Sequence, residues 1–498
     1  HDPQSPHIAE LMWATLATDS EILIRPTTMA HTMISKKEVV RCLDIADEKL
    51  ESIWRTLKVE KSDGRSLITC QNSIIEVLWV LDAQYQSIKK EQRRLIENKR
   101  RYSERWFAKE MKRLSDLGKI IAGEIGKARA LGDGYAWIFY KEDTHLIDEH
   151  LKCQRQLNLP PSIGRLGERA FVEVAQGFGG CFVLYHGISS FLRLGDVSFY
   201  DPQTRHISSI GEVKSERVKG DEYRLTVGVV YGRSFAPPIQ MTDAGLEDRR
   251  PEALLSAAMQ RRFDRQIGEI GKALNISRVA DSRFMRIAGQ CHFESLAKVI
   301  EDSRATGAAY EKAGDGLLLA AFRIKGESAS TRAFSSQSNL VKLIDPIREK
   351  AKSILLENSE ENSLFLGNIG FEDDGFPGVL PGTVPLFWWP IPVDQLHDLL
   401  FGSVLVISIY NPVHFWQKLR SDGYTLNIGD KSRAMSATKK VKGNRVLRFE
   451  NVDYYRLLAQ HFLVTDDSII DMLKETASFA LKENTSSFRV RISPRIKM

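Results

Sequence analysis

The stretch that decides the fold is Gly195–Glu216, which reads GDVSFYDPQTRHISSIGEVKSE. Polar and apolar residues alternate over positions 196–200, which is the pattern of a half-buried strand. An Asp-Pro-Gln sequence at 201–203 predicts a turn, and residues 207–214 predict a second strand that returns beside the first. The stretch therefore predicts a β-hairpin.

Three side chains of this hairpin, Asp196, Glu212 and Lys214, are the candidate catalytic residues. Side chains two positions apart on a strand point to the same face, so Glu212 and Lys214 project together. Asp196 opens the partner strand, so both carboxylates can converge at one end of the hairpin. Carboxylates bind Mg²⁺, the metal activates a water and neutralises phosphate charge, and an ammonium stabilises the charged transition state. The pattern indicates a phosphodiesterase that uses Mg²⁺, or alternatively Mn²⁺; the competing interpretation is a surface hairpin with solvated charges.

The elements upstream of the hairpin carry a resemblance to a known group. Residues 162–175 read SIGRLGERAFVEVA and predict a helix that begins with a serine cap. An apolar strand over 181–185 follows, and the two hairpin strands come next. This order of one helix and three strands resembles the core of the PD-(D/E)XK nuclease superfamily over residues 155–330, about a third of the chain.

The resemblance implies a role for each matching residue. The helix glutamate corresponds to Glu168, the aspartate to Asp196 and the E-x-K motif to Glu212 and Lys214, while Gly195 replaces the proline. Asp196 and Glu212 would bind the metal, and Glu168 would be an outer or second metal contact. The implied fold is a restriction-endonuclease-like mixed α/β sheet flanked by helices. The implied function is DNA endonuclease activity in restriction, anti-phage (antiviral) defence or repair. RNA is the alternative substrate, and a catalytically inactive nucleic-acid-binding or assembly scaffold with the same fold is the alternative function.

A strongly basic run lies between Lys89 and Arg113. It contains eleven Lys or Arg and four Glu, a local charge of +7 that exceeds the +6 of the whole chain. An apolar stripe beside it predicts a long helix that packs on one side, and clustered cations bind phosphates in a salt-dependent way. The alternative is a solvated helix face or a coiled-coil arm. The predicted nucleic-acid-binding residues are Arg93, Arg94, Arg100, Arg101, Arg105 and Lys109.

The remaining patterns predict the domain organisation, with a helical N-terminal region and an α+β C-terminal domain. Residues 35–80 favour a helix-turn-helix or winged-helix unit with a capping box at 35–38, a break at 44–47 and a wing at 66–69; the alternative is a helical domain that contacts protein. The predicted domains are residues 1–82 (helical, winged-helix-like), 83–150 (basic helical connector), 151–330 (nuclease) and 331–498 (accessory).

Missing patterns restrict the function further. There is no G-x-x-x-x-G-K-[ST] phosphate loop, no zinc-ligand spacing and no G-x-S-x-G motif, which argues against an ATP-driven translocase, zinc chemistry and the commonest esterases. Five scattered cysteines and the lack of any apolar run of about twenty residues predict a cytoplasmic protein without a membrane partner. A second copy or a partner protein is expected to contact the long helix or the C-terminal domain.

Overall fold

The structure is a computed structural model with a mixed α/β fold and a helical N-terminal region, as predicted. It divides into two compact units, His1–Ser282 with Pro377–Leu380, and Arg283–Phe376 with Pro381–Met498. The finer division into four domains stays a prediction. The residues that the structure describes are 34–58, 63–153, 168, 171–173, 175–176, 180–219, 222–231, 256–280, 284–326, 328, 330–332, 346–355, 364–369, 379, 383–428, 435–441, 445–450, 452–483 and 489–494.

The first unit opens with packed helices. They are α1 (Lys36–Lys58), α2 (Gly64–Glu97), α3 (Glu104–Tyr140) and α4 (Thr144–Lys152). The first three helices pack against one another along apolar stripes, and residues such as Leu43, Ile74 and Ile121 are completely buried between them. Ser35 caps α1 as predicted. Its hydroxyl accepts from the backbone N–H of Lys37, and its own backbone N–H donates to Glu38, which is one of the two bonds of a capping box.

The predicted break at 44–47 and the predicted wing at 66–69 are both wrong, since α1 and α2 are continuous helices there. Asp47 does not end α1, because its buried carboxylate forms a 2.7 Å ion pair with Lys127 of α3. Asp63 does not form a hairpin turn. It is the N-cap of α2, and its carboxylate accepts a 2.8 Å bond from the backbone N–H of Ser66 in a capping box.

A four-stranded antiparallel sheet follows, with the predicted hairpin at its centre. Its strands are β1 (Phe182–Tyr185), β2 (Val197–Asp201), β3 (His206–Lys219) and β4 (Glu222–Tyr231), in the order β1-β2-β3-β4. The predicted turn is confirmed, because the Asp201 carboxylate accepts from the backbone N–H of Gln203, and Arg205 has φ of 62°. The buried side chain of Gln71 bonds the outer edge of β1, donating to Val183 O and accepting from the N–H of Tyr185.

Two helices cover the same face of this sheet. Phe139 of α3 stacks on Phe182 of β1 with ring centroids 4.7 Å apart. The helix α5 (Ala257–Ala280) packs on β3 and β4. Gly228 of β4 permits this packing, because a Cβ there would lie 2.5 Å from the ring of Phe263.

The second unit contains further antiparallel sheets and helices. Its strands include β5 (Phe284–Gly289), β6 (Ala308–Lys312), β7 (Leu317–Arg323), β8 (Phe365–Ile369), β9 (Val404–Tyr410), β10 (Thr425–Ile428), β11 (Met435–Val441), β12 (Arg445–Phe449) and β13 (Arg489–Pro494). Its helices include α6 (Phe293–Thr306), α7 (Val393–Leu400), α8 (Val413–Ser421), α9 (Val452–His461) and α10 (Asp466–Glu483), and residues 346–355 are also helical.

The strand order in the second unit corrects one expectation. Strand β7 lies within the predicted nuclease domain, residues 151–330, but it does not join the hairpin sheet, because it pairs with β6 and β9 in the order β6-β7-β9-β8. The six residues from Leu317 to Phe322 are all buried. Strand β7 is a central strand with β6 on one side and β9 on the other, and both of its faces are covered. Strands β10, β11 and β12 form a separate antiparallel sheet, and β13 pairs parallel to β5.

Candidate active site

The hairpin places Asp196 beside Glu212. The backbone N–H of Asp196 donates to Gly211 O at 2.8 Å, and its carboxylate accepts from the N–H of Val213, also at 2.8 Å. Strand β2 begins at Val197, opposite Gly211, so at Val213 no residue of β2 lies opposite β3. The Asp196 carboxylate occupies the position that a β2 residue would have there. Glu212 lies between Gly211 and Val213, the two β3 residues that Asp196 contacts.

Lys214 completes this group, because its ammonium forms an ion pair with the Glu212 carboxylate. The two side chains lie on the same face of β3, as their spacing predicted. Glu212 is fully buried, Asp196 is 9 % exposed, and the Lys214 side chain is 15 % exposed. Lys214 is therefore the member of the group that is nearest to solvent.

Helix α5 explains the burial of Glu212. Gly228 pairs directly with Glu212 across the β3–β4 ladder, so the two residues share one face of the sheet. The space that a Gly228 side chain would fill is occupied by Phe263 and Ile267 of α5. Apolar residues therefore cover the carboxylate, and the low local polarity strengthens its attraction to Lys214.

Glu168 does not form one cluster with Asp196 and Glu212. Its carboxylate accepts a 2.8 Å bond from the hydroxyl of Tyr185 on β1. Across the described residues, no group of three or more His, Cys, Asp and Glu side chains is arranged to hold a metal ion. The predicted helix that carries Glu168 lies largely outside the described residues, and 168, 171–173 and 175 are its helical positions within them.

The carboxylates of Asp196 and Glu212 fit Mg²⁺ better than a metal whose ligands must all come from protein side chains. Mg²⁺ is held by one or two carboxylates together with waters and substrate phosphates. Asp196 and Glu212 supply two carboxylates from neighbouring backbone segments that are hydrogen-bonded to each other. The arrangement is thus compatible with a metal whose remaining ligands come from water and substrate.

The sequence analysis did not identify a set of buried, hydrogen-bonded polar side chains beside this group. The hydroxyl oxygens of Tyr140 and Ser198 are 2.6 Å apart, and Ser198 Oγ is 2.6 Å from His186 Nε2. His150 Nε2 lies 3.0 Å from the Tyr140 hydroxyl. These residues come from α3, α4, the 3-10 turn His186–Ile188 and β2, so no local pattern connects them.

The basic run covers the turn between two antiparallel helices and not one long helix. Helix α2 ends at Glu97, the short 3-10 helix Lys99–Arg101 follows, and α3 begins at Glu104. Trp106 is 39 % exposed and stacks on Tyr102 with centroids 4.6 Å apart. We call this surface the basic tip; its exposed cations are Lys90, Arg93, Lys99, Arg100, Arg101, Arg105, Lys109 and Lys112.

One of the predicted nucleic-acid-binding residues is engaged within α2 itself. The guanidinium of Arg94 forms two hydrogen bonds with Glu91, at 2.7 and 2.5 Å. The bond to Glu91 raises the pKa of Arg94. Arg93, Arg100, Arg101, Arg105 and Lys109, the other predicted residues, are exposed.

The structure does not bring the basic tip and the hairpin group together. Gln71, which bonds β1 near the hairpin group, and Asn98 at the tip are twenty-seven residues apart (98 − 71) along α2. A rise of 1.5 Å per residue separates them by about 40 Å. This separation equals the length of roughly 12 base pairs of B-DNA at about 3.4 Å per pair.

No helix in the described part of the chain combines the length and apolarity needed to cross a bilayer. Comparison with known proteins gives no relative: no protein-family model, no curated protein and no solved structure matches this chain.

Proposed function

We propose that this protein is a Mg²⁺-dependent nuclease of the PD-(D/E)XK type that hydrolyses phosphodiester bonds in DNA. The observation that carries the proposal is the adjacency of Asp196, Glu212 and Lys214, which are separated by up to eighteen residues (214 − 196) in sequence. The antiparallel order of β1, β2 and β3 agrees with the resemblance to this superfamily.

Each residue of the group has a distinct part in this proposal. Asp196 and Glu212 would hold Mg²⁺, which lowers the pKa of a bound water and neutralises charge on the scissile phosphate. Asp196 is held by the N–H of Val213, so its carboxylate needs little reorganisation when substrate binds. Lys214 faces the solvent edge and would donate to a phosphate oxygen as charge develops.

The basic tip supports DNA as the substrate. Its exposed cations can neutralise phosphates by counterion release, and Trp106 adds a partly exposed ring. Because the basic tip is about 40 Å from the hairpin group along α2, one duplex would have to extend roughly twelve base pairs beyond the cut to reach both. Shorter duplexes are expected to bind weakly and to be cut slowly.

A plasmid-nicking assay tests the proposal. Wild-type protein is incubated with supercoiled DNA and Mg²⁺, beside Asp196→Ala, Lys214→Ala and an EDTA control. The matched control is Lys152→Ala, which also removes a lysine of the first unit that pairs with a carboxylate, at 2.9 Å from Glu149. Wild type and Lys152→Ala should nick the plasmid, and both site variants should lose at least 100-fold. Nicking that survives either site substitution would show that the assigned residues are wrong.

One observation favours a second candidate, a DNA-binding scaffold without turnover. Glu212 is completely buried and paired with Lys214, which is also the description of a structural ion pair. A purely structural pair can be replaced by apolar residues with little loss of stability. Three results together would establish the scaffold. The protein would bind DNA in a gel shift, it would cleave neither DNA nor RNA in Mg²⁺ or Mn²⁺, and a Glu212→Leu/Lys214→Met variant would be stable.

A further inference from the structure

His186 contacts the bend that precedes Asp196 at two points. Its backbone N–H donates to Asp196 O at 2.9 Å, and its ring Nδ1 lies 3.1 Å from Gly195 O. Gly195 has φ of +73°, and a Cβ there would lie 2.7 Å from Gly211 O. The bend therefore requires glycine at position 195, and His186 holds the carbonyl groups of Gly195 and Asp196.

The Gly195 contact fixes the proton on the His186 ring. A carbonyl oxygen only accepts hydrogen bonds, so Nδ1 must carry the proton and donate. In the neutral ring Nε2 is then the acceptor, and its neighbour at 2.6 Å is the hydroxyl of Ser198. Ser198 therefore donates to His186.

The opposite end of the buried set is fixed by backbone groups as well. His150 Nδ1 lies 3.1 and 2.9 Å from the backbone N–H groups of Arg193 and Leu194. Both of these only donate, so Nδ1 is the acceptor and Nε2 carries the proton. Burial lowers the pKa of His150 well below its usual value, which keeps this ring neutral.

With both ends fixed, all the hydrogen bonds between them run in one direction. His150 Nε2–H donates to the Tyr140 hydroxyl, and that hydroxyl donates to Ser198. Ser198 donates to His186, whose Nδ1–H donates to Gly195 O. Reversing any single bond would leave a buried donor or acceptor without a partner.

The burial of these side chains excludes a direct catalytic part for them. Tyr140, His150 and Ser198 are completely buried, and His186 is 2 % exposed. The close Ser198–His186 contact is consequently not a nucleophile and its base, because no substrate can reach it. The contacts act on the main chain that carries Asp196.

We propose that His186 is a positioning residue for Asp196, and that the directed chain from His150 through Tyr140 and Ser198 selects the Nδ1–H tautomer that this requires. The inference rests on the proposed function for what Asp196 does, while the position of Asp196 can be measured without activity. The amide of Val213 reports that position, because the Asp196 carboxylate takes the place of a strand partner there.

Two substitutions at His186 separate positioning from simple packing. Asn places an N–H donor where Nδ1 stands, whereas Gln places its amide nearer to the Nε2 position. Amide hydrogen exchange at Val213 should stay within about threefold of wild type in His186→Asn and accelerate at least tenfold in His186→Gln. Equal acceleration in both variants would overturn the inference, since loss of packing alone affects both.

Wild-type protein provides a second readout if the variants fail to fold. Long-range ¹H–¹⁵N correlation on histidine-labelled protein at pH 7 should show His186 as the Nδ1–H tautomer and His150 as the Nε2–H tautomer. An Nε2–H or doubly protonated His186 would contradict the inference. If the exchange and tautomer results are as expected but the plasmid is not cut, the proposed function is wrong and the positioning role of His186 stands. If the plasmid is cut but these results are not obtained, the positioning role is wrong and the proposed function stands.

Discussion

Replacing Gly132 by alanine tests how α3 is docked on the turn that precedes the hairpin. A Cβ at this position would lie 1.9 Å from the carbonyl oxygen of Ile188 and 2.8 Å from its carbon. An ordinary contact needs about 3.4 Å, so α3 or the turn would have to move by roughly 1.5 Å. The obstacle is backbone, which cannot rotate away as a side chain could.

The size of the effect follows from this contact. Overpacking costs about 1–3 kcal/mol, and a clash with main chain belongs at the upper end, so we expect Gly132→Ala to destabilise by about 3 kcal/mol. Gly123 on the same helix is the matched control, because a Cβ there meets nothing within 4 Å. Gly123→Ala should stabilise by about 0.5–1 kcal/mol, since alanine favours helix more than glycine.

Hydrogen exchange followed by mass spectrometry on α3 and β1 peptides measures this difference locally. A local readout is needed because a chain of two units does not unfold in a single step. Exchange should accelerate in Gly132→Ala and slow slightly in Gly123→Ala. Equal exchange in the two variants would refute the docking of α3 on the turn.

Three further predictions concern charged groups. Burial raises the pKa of Asp133 to about 6, against about 3.9 in an unfolded chain; the folded state therefore binds the extra proton, and stability should fall by about 3 kcal/mol as pH rises from 4 to 7. Lys127→Met leaves the buried carboxylates of Asp47 and Glu124 without their cation, so it should destabilise α1 and α3 by about 3–5 kcal/mol. Removing three exposed arginines of the basic tip should weaken DNA binding and reduce the log–log salt slope by about 3. Those three are Arg100, Arg101 and Arg105.

Each of these predictions has a control. Asp133→Asn keeps one acceptor oxygen for the hydroxyl of Ser189 and places an NH2 donor beside Ser190 Oγ, but it cannot titrate. Urea unfolding of this variant should therefore show no such fall, and a fall that persists contradicts the assignment. For Lys127, adding Asp47→Asn and Glu124→Gln should recover most of the loss. For the basic tip, the matched variant removes three exposed cations of α1, and equal weakening in fluorescence-anisotropy titrations would count against the basic tip. Those cations are Lys36, Lys37 and Arg41.

The features that were predictable from sequence depend on neighbouring residues. The hairpin was predicted because alternation and turn residues are local signals, and the same-face placement of Glu212 and Lys214 follows from strand geometry. The cap at Ser35 is equally local. The adjacency of Asp196 to β3 needed only the hairpin register.

The features that were missed depend on contacts far along the chain. Asp47 suggested a break because aspartate is a poor helix former, yet Lys127, eighty residues away, holds it inside α1. The turn within the basic run is an exception, because local residues mark it: Asn98 is the C-cap of α2 and Ser103 is the N-cap of α3. The chain of buried polar side chains that ends at His186 joins four separate elements, and such convergence has no periodic signature.

Anomalous diffraction from crystals soaked in Mn²⁺ tests the central claim most directly. We expect a peak about 2.1 Å from a carboxylate oxygen of Asp196 and of Glu212, with the Lys214 ammonium displaced from Glu212 toward solvent. The same soak of Asp196→Ala should show no peak. An intact Glu212–Lys214 ion pair without anomalous density, under Mn²⁺ concentrations that support nicking, would contradict the account.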